Sequence, residues 1–139
     1  MRENQTRLPK ISPQLEYQAD PIRATLKLFG KKWTLLIVRD IAFLKLQRFG
    51  QILANNPGLT PRVLSRRLEQ MASEGLVKKT INSEGPRYFL TPMGEDAVYI
   101  LLAMLRFGIR HYLGKQTARE EEKVMNSLQY EIPKTEWIY

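Results

Sequence analysis

The chain has 139 residues and a mass of 16.2 kDa, contains no cysteine, and carries 22 Lys and Arg against 14 Asp and Glu, a net charge of +8. The lack of cysteine excludes disulfides, thiolate metal centres and cysteine redox chemistry, and the longest uncharged apolar run, residues 97–105, is far short of the ~20 residues a membrane helix needs. The positive charge is concentrated: residues 31–87 hold eleven Lys and Arg against four Asp and Glu, so an anionic partner is expected to dock on that segment. Nucleic acid is the first candidate and an acidic membrane surface the second.

The length suits one domain with a core of its own. The N-terminal MRENQTRLPK has no apolar core behind its charges, so no secretory signal is read there and a cytoplasmic location is expected. Three helix starts share one device, a capping side chain followed by proline at the first helical position: Asp20-Pro21, Thr60-Pro61 and Thr91-Pro92.

The first predicted helix spans about 21–29, with Ile22, Leu26 and Phe29 on one face, and stops at Gly30. A second begins near Lys31 or Lys32 and carries Trp33, Leu36, Ile37 and Ile41 at helical spacing. Its end is ambiguous, because AFLKLQRF has no glycine or proline stop and fits either a helix extension or a short strand. A short third helix is expected at about 48–54, weakened by Gly50. The turn signal Asn55-Asn56-Pro57-Gly58 then leads into a fourth helix at about 61–74, stopped by Gly75. LVKKTIN and PRYFLT, residues 76–82 and 86–91, are rich in β-branched and aromatic residues around Ser83-Glu84-Gly85 and read as a β-hairpin. A long helix follows from Pro92 to about Leu113. In the tail, Thr117 and Glu120 form a capping box, with Val124, Met125 and Leu128 facing one way, and PKTEWIY reads as extended. The fold class is mainly α with a small β-hairpin wing, a winged helix-turn-helix. An N-terminal arm (1–19), the winged domain with a dimerisation helix (20–114) and a partly helical tail (115–139) are its expected divisions.

A helical projection of the fourth helix puts Leu64, Leu68 and Met71 on one side. Arg62, Ser65, Arg66, Glu69, Gln70 and Ser73 fall on the other, and Arg67 lies near the rim. Arginines opposite leucines often mark nothing more than a solvated face. Here the charge excess, the preceding turn and short helix, and a following hairpin with Lys78, Lys79 and Arg87 favour DNA. A recognition helix enters the major groove N-terminus first, so Arg62, Ser65 and Arg66 would meet base edges. Thr60 would cap that end or touch the backbone, and the free amides there suit a phosphate. Arg87, expected at the hairpin tip, reads as a wing residue for the minor groove or a phosphate, or as a solvated turn arginine. Lys31, Lys32, Lys45 and Arg48 are candidates for phosphate contact, although each taken alone is more often a plain surface charge.

The segments DPIRATLKLFGKKWTLLIVRD, RFGQI, PGLTPRVLSRRLEQMASEGLV and RYFLTPMGED, in this order from Asp20 to about Tyr112, resemble the HxlR-type branch of the MarR-like winged-helix transcription regulators. The resemblance implies a homodimer on double-stranded DNA. It places Thr60, Pro61, Arg62, Ser65, Arg66 and Arg67 in the recognition helix and Arg87 in the wing. The chain departs from the family pattern in several places. Asp20 stands where members commonly have a cysteine, which excludes thiol sensing at that position. The wing is shorter, FLKLQRF lacks the usual glycine or proline turn, and a tail extends past the shared core.

The long helix supports dimerisation separately. Glu95, Asp96, Tyr99, Arg106 and Arg110 share a narrow arc. The rest is apolar, wider than one side of a small domain covers, so burial against a second subunit is favoured over a purely central core helix. Two-fold symmetry would call for a palindromic operator with half-sites about 34 Å apart or a multiple of it. The only histidine, His111, has no partner motif. With no catalytic triad pattern, metal-ligand spacing or phosphate loop, no enzymatic activity and no cofactor are expected. An architectural DNA-binding protein without sequence preference, or a protein-interaction module, would keep the same fold. Whether a small effector binds is left open.

Overall fold

The computed structural model describes residues 20–112 and 118–127. The expected N-terminal arm, the tail capping residue Thr117, and the extended C-terminus lie outside the described residues. The chain divides into two compact units, Met1–Lys32 and Trp33–Tyr139.

In the first unit, helix α1 spans Pro21–Phe29. Asp20 caps it as expected, its carboxylate accepting a 2.9 Å bond from the Ile22 amide, and the chain leaves at Gly30. Ile22 and Leu26 stay mostly exposed, at 64% and 63%.

The second unit contains α2 (Thr34–Ala42), α3 (Phe49–Asn55), α4 (Pro61–Ser73), strands β1 (Val77–Asn82) and β2 (Gly85–Leu90), α5 (Pro92–Tyr112) and α6 (Ala118–Ser127). Its core gathers Ile37, Val38 and Ile41 from α2, Ile52 from α3, and Leu64, Leu68 and Met71 from α4. Leu76 and Val77, Tyr88 of β2, and Ala97, Val98, Leu101 and Ile109 of α5 complete it. The apolar stripe read from the sequence of α4 is thus its buried face, and each fully buried leucine there contributes about 2 kcal/mol.

AFLKLQRF is neither a helix extension nor a strand. α2 ends at Ala42 and the chain turns through Lys45, whose φ of +56° is in the left-handed region that normally favours glycine. The Leu46 amide donates back to the Asp40 carbonyl at 3.0 Å, which holds that turn. The Gln47 carbonyl then accepts from the Tyr88 amide at 2.8 Å, tying this connection to β2.

α4 ends in a Schellman arrangement. The Leu76 amide bonds the Met71 carbonyl at 2.8 Å, the Gly75 amide bonds Ala72 at 3.1 Å, and Gly75 supplies φ +84°. The hairpin pairs Val77 with Leu90 through to Asn82 with Gly85. Gly85 belongs to β2 rather than to the loop, so only Ser83 and Glu84 form the turn. Gly85 carries φ +100°, and the Glu84 amide bonds the Asn82 side chain at 2.9 Å.

Thr91 then joins the hairpin to α5. Its hydroxyl donates to the Gly75 carbonyl and accepts from the Gly94 amide at 3.1 Å. A Cβ at Gly94 would overlap the Leu76 carbonyl, so glycine is what lets α5 start against the base of the wing.

Candidate nucleic-acid interface

The segment between α3 and α4 is pinned by one buried carboxylate. Asp40, on α2, is fully buried. Its Oδ1 accepts from Arg39 Nε at 2.9 Å and from Asn55 Nδ2 at 3.0 Å, and pairs with Arg39 Nη2 at 2.8 Å. Its Oδ2 accepts from Asn56 Nδ2 at 2.6 Å. Asn56 also donates to the Ile52 carbonyl at 2.8 Å and accepts from Arg39 Nη2 at 3.1 Å. A carboxylate removed from water is tolerated only when its lone pairs are filled and its charge is paired, and both conditions hold here. The two asparagines are therefore donors aimed at one acid as well as turn formers. Gly58, at φ +91°, completes the turn. The anchor fixes where α4 leaves α3.

The first turn of α4 is closed by its own cap. Thr60 Oγ1 accepts from the Val63 amide at 3.3 Å, the Thr60 carbonyl accepts from Leu64 at 2.9 Å, and Pro61 has no amide to offer. The cap takes the Val63 amide and Pro61 has none, so fewer amides than expected remain there for a phosphate.

Beyond the cap, Arg62, Ser65, Arg66 and Glu69 are exposed on the face opposite Leu64, Leu68 and Met71. Among the described residues Arg62 and Arg66 have no hydrogen-bond or ion-pair partner. Arg67 differs: it is half-buried, donates from Nη1 to Gln70 Oε1 at 2.7 Å, and keeps a buried Nε without a partner. It belongs to the helix's own surface structure.

Arg87 is not at the hairpin tip. It lies inside β2 opposite Thr80, with its side chain 35% exposed, and its Nη2 bonds Glu84 Oε2 at 2.9 Å. Arg48, just before α3, reaches the same residue, with Nη1 to the Glu84 carbonyl at 2.8 Å and Nη2 to Oε2 at 3.1 Å. The structure thus brings Arg48 and Arg87 together around a glutamate that sequence reading did not single out. Lys78 and Lys79 are exposed on β1, Lys79 with its ammonium 6.0 Å from the Tyr88 ring centre. Lys32 is exposed and belongs to the first unit, whereas Arg48, Arg87 and the α4 candidates belong to the second.

Sequence reading also missed Asp40. The available signal was an Arg-Asp pair inside the mostly apolar helix TLLIVRDIA, followed further on by two asparagines. Among the described residues no cluster of His, Cys, Asp or Glu could hold a metal ion, and no helix is long and apolar enough to cross a membrane.

Comparison with known proteins agrees with this geometry. An uncharacterised HTH-type transcriptional regulator of Mycobacterium tuberculosis (strain H37Rv) is 35% identical over 95 residues, which is 66% of this chain and 59% of the relative. The chain thus spans less than two thirds of that regulator's length. The crystal structure of a MarR-family transcriptional regulator from Porphyromonas gingivalis W83 superposes with a TM-score of 0.59 at 29% identity, covering 74% of this chain and 99% of that one. An HxlR-family transcriptional factor from Thermoplasma volcanium GSS1 gives a TM-score of 0.52 at 32% identity, covering 63% of this chain and 81% of that one. The family model for the HxlR-like helix-turn-helix matches residues 28–116. With the mostly helical architecture, the two-stranded wing and the capped, outward-facing α4 in place, the chain belongs to the HxlR-like helix-turn-helix family.

Proposed function

We propose that this chain is a sequence-specific, DNA-binding transcriptional regulator, that it acts as a homodimer in the cytoplasm, and that it has no enzymatic role. The observation that carries the reading is the exposed face of α4. Two arginines without a partner among the described residues and a serine stand on its first turns, while its leucines and the Asp40 anchor hold the helix at a set angle. Such a helix can enter a major groove with Arg62, Ser65 and Arg66 facing base edges. Thr60 and Pro61 set the helix start, and Arg67, Arg48 and Arg87 contribute along the phosphate backbone. Lys32 is a further backbone candidate. The names of the relatives, HTH-type transcriptional regulators, support the same role.

The dimer is supported by apolar side chains left exposed on one copy. Met104, Phe107 and Tyr112 of α5 are 53%, 57% and 80% exposed. In this reading residues 20–114 form the winged domain with its dimerisation helix, preceded by an arm and followed by a tail. Phe107→Asp should shift the sedimenting species from dimer to monomer. An unchanged dimer would place the interface elsewhere.

The function is tested by selecting genomic fragments that the purified protein retains, then titrating them by fluorescence anisotropy. One operator should bind on the order of 10³-fold or more tighter than random duplex. Equal affinity for all fragments would instead identify an architectural DNA-binding protein.

A further inference from the structure

We propose that Glu84, at the tip of the wing, is an intramolecular stand-in for a DNA phosphate: its carboxylate occupies Arg48 and Arg87 and thereby limits how strongly the wing grips the backbone. This rests on the DNA-binding reading and extends it to a residue that weakens affinity.

The geometry separates two jobs. The wing is docked through its own backbone: the Tyr88 amide donates to the Gln47 carbonyl at 2.8 Å, and the Glu84 carbonyl accepts from the Arg48 side chain, Nη1, at 2.8 Å. The Glu84 carboxylate is not needed for either. Its Oε2 accepts one Nη2–H hydrogen bond from each arginine, at 3.1 Å from Arg48 and 2.9 Å from Arg87.

The side chains are 33%, 35% and 64% exposed for Arg48, Arg87 and Glu84, so water and salt reach the cluster. Exposed pairs of this kind hold weakly, and a competing anion can replace the carboxylate. A phosphate oxygen offers the same charge and acceptor geometry to a guanidinium. The three residues together present one net positive charge where two arginines alone would present two. Glu84 therefore costs the protein about one backbone contact.

The experiment is a salt titration of binding to random duplex DNA by fluorescence anisotropy, wild type against Glu84→Gln. Each additional neutralised phosphate steepens the slope of log K against log salt by about 0.9. Glu84→Gln should steepen it by about that much. Measured against 1 M salt, the same increment makes binding at 50 mM on the order of tenfold tighter. The gain should be uniform across sequences, because phosphates carry no base information.

In an Arg48→Ala/Arg87→Ala background the same substitution should have no effect. An unchanged slope, weaker binding, or a gain that persists without the two arginines would overturn the inference, the last by showing only long-range repulsion. A wild type without salt-dependent duplex binding would overturn the regulator reading and this inference together. A wild type that binds while Glu84→Gln leaves the slope unchanged would overturn this inference alone. Far-ultraviolet circular dichroism and thermal melting of each variant verify that the wing region remains folded.

Discussion

Two arginine–carboxylate junctions flank the helix-turn-helix and the wing, and they differ in burial. At the base of the helix-turn-helix, Asp40 is fully buried and receives Arg39, Asn55 and Asn56. At the wing, Glu84 is 64% exposed and receives Arg48 and Arg87. The chemistry is the same: a carboxylate satisfied by guanidinium donors. In the buried case the acid has no solvent to replace a lost partner, so the set stands or falls together. In the exposed case water can take any vacated position, so the set can be exchanged. One junction fixes the turn between α3 and α4, and the other sits on the wing, where its carboxylate can be displaced.

The largest test of that contrast is Asp40→Ala. It strips a buried cluster of its acceptor and leaves two asparagine amides and Arg39 facing a gap. A stability loss of about 3 kcal/mol is expected, near the low end for a broken buried pair because Arg39 keeps some solvent. Chemical denaturation reads it directly. A loss no larger than that of a surface pair would end the comparison.

Next comes the DNA side. Arg62→Ala removes an unpaired arginine and should cost roughly 1–3 kcal/mol of binding, concentrated at one operator position. Arg87→Ala removes an arginine already half-neutralised by Glu84 and should weaken all sequences alike and by less. Anisotropy against a panel of single-base operator variants separates the two. A position-specific loss at Arg87 would mean that the wing reads bases.

Thr60→Ala should lower stability by about 1 kcal/mol through loss of the α4 cap, without changing the anchor. Smallest of all, Glu84→Ala should change folding stability by less than about 1 kcal/mol, measured as a shift in the denaturation midpoint. A larger loss would make the wing junction structural after all.

Much of this was readable from local patterns. Asp20-Pro21, Thr60-Pro61 and Thr91-Pro92 all begin helices where expected, because a cap and the residues it serves are neighbours in sequence. The split of α4 into a leucine face and an Arg62–Arg66 face follows from helical period alone, and Arg67, at the rim, is held by the Gln70 side chain. The turn at Lys45 was not readable. Nothing local marks a lysine for φ +56°; the Asp40 carbonyl and the attachment of Gln47 to Tyr88 impose it.

Apart from the connection at Lys45, the amino-acid order by itself determined which of the described segments are helical or extended, which face of α4 points outward, and that the central segment is basic, since each depends on residues a few positions apart. The tertiary structure decided which of those basic residues are free. Glu84 meets Arg48 across 36 positions and Asn56 meets Asp40 across 16, distances over which sequence spacing carries no geometric information. Charge can be counted along a chain, but its neutralisation depends on the distance between groups in space, and only folding sets that distance.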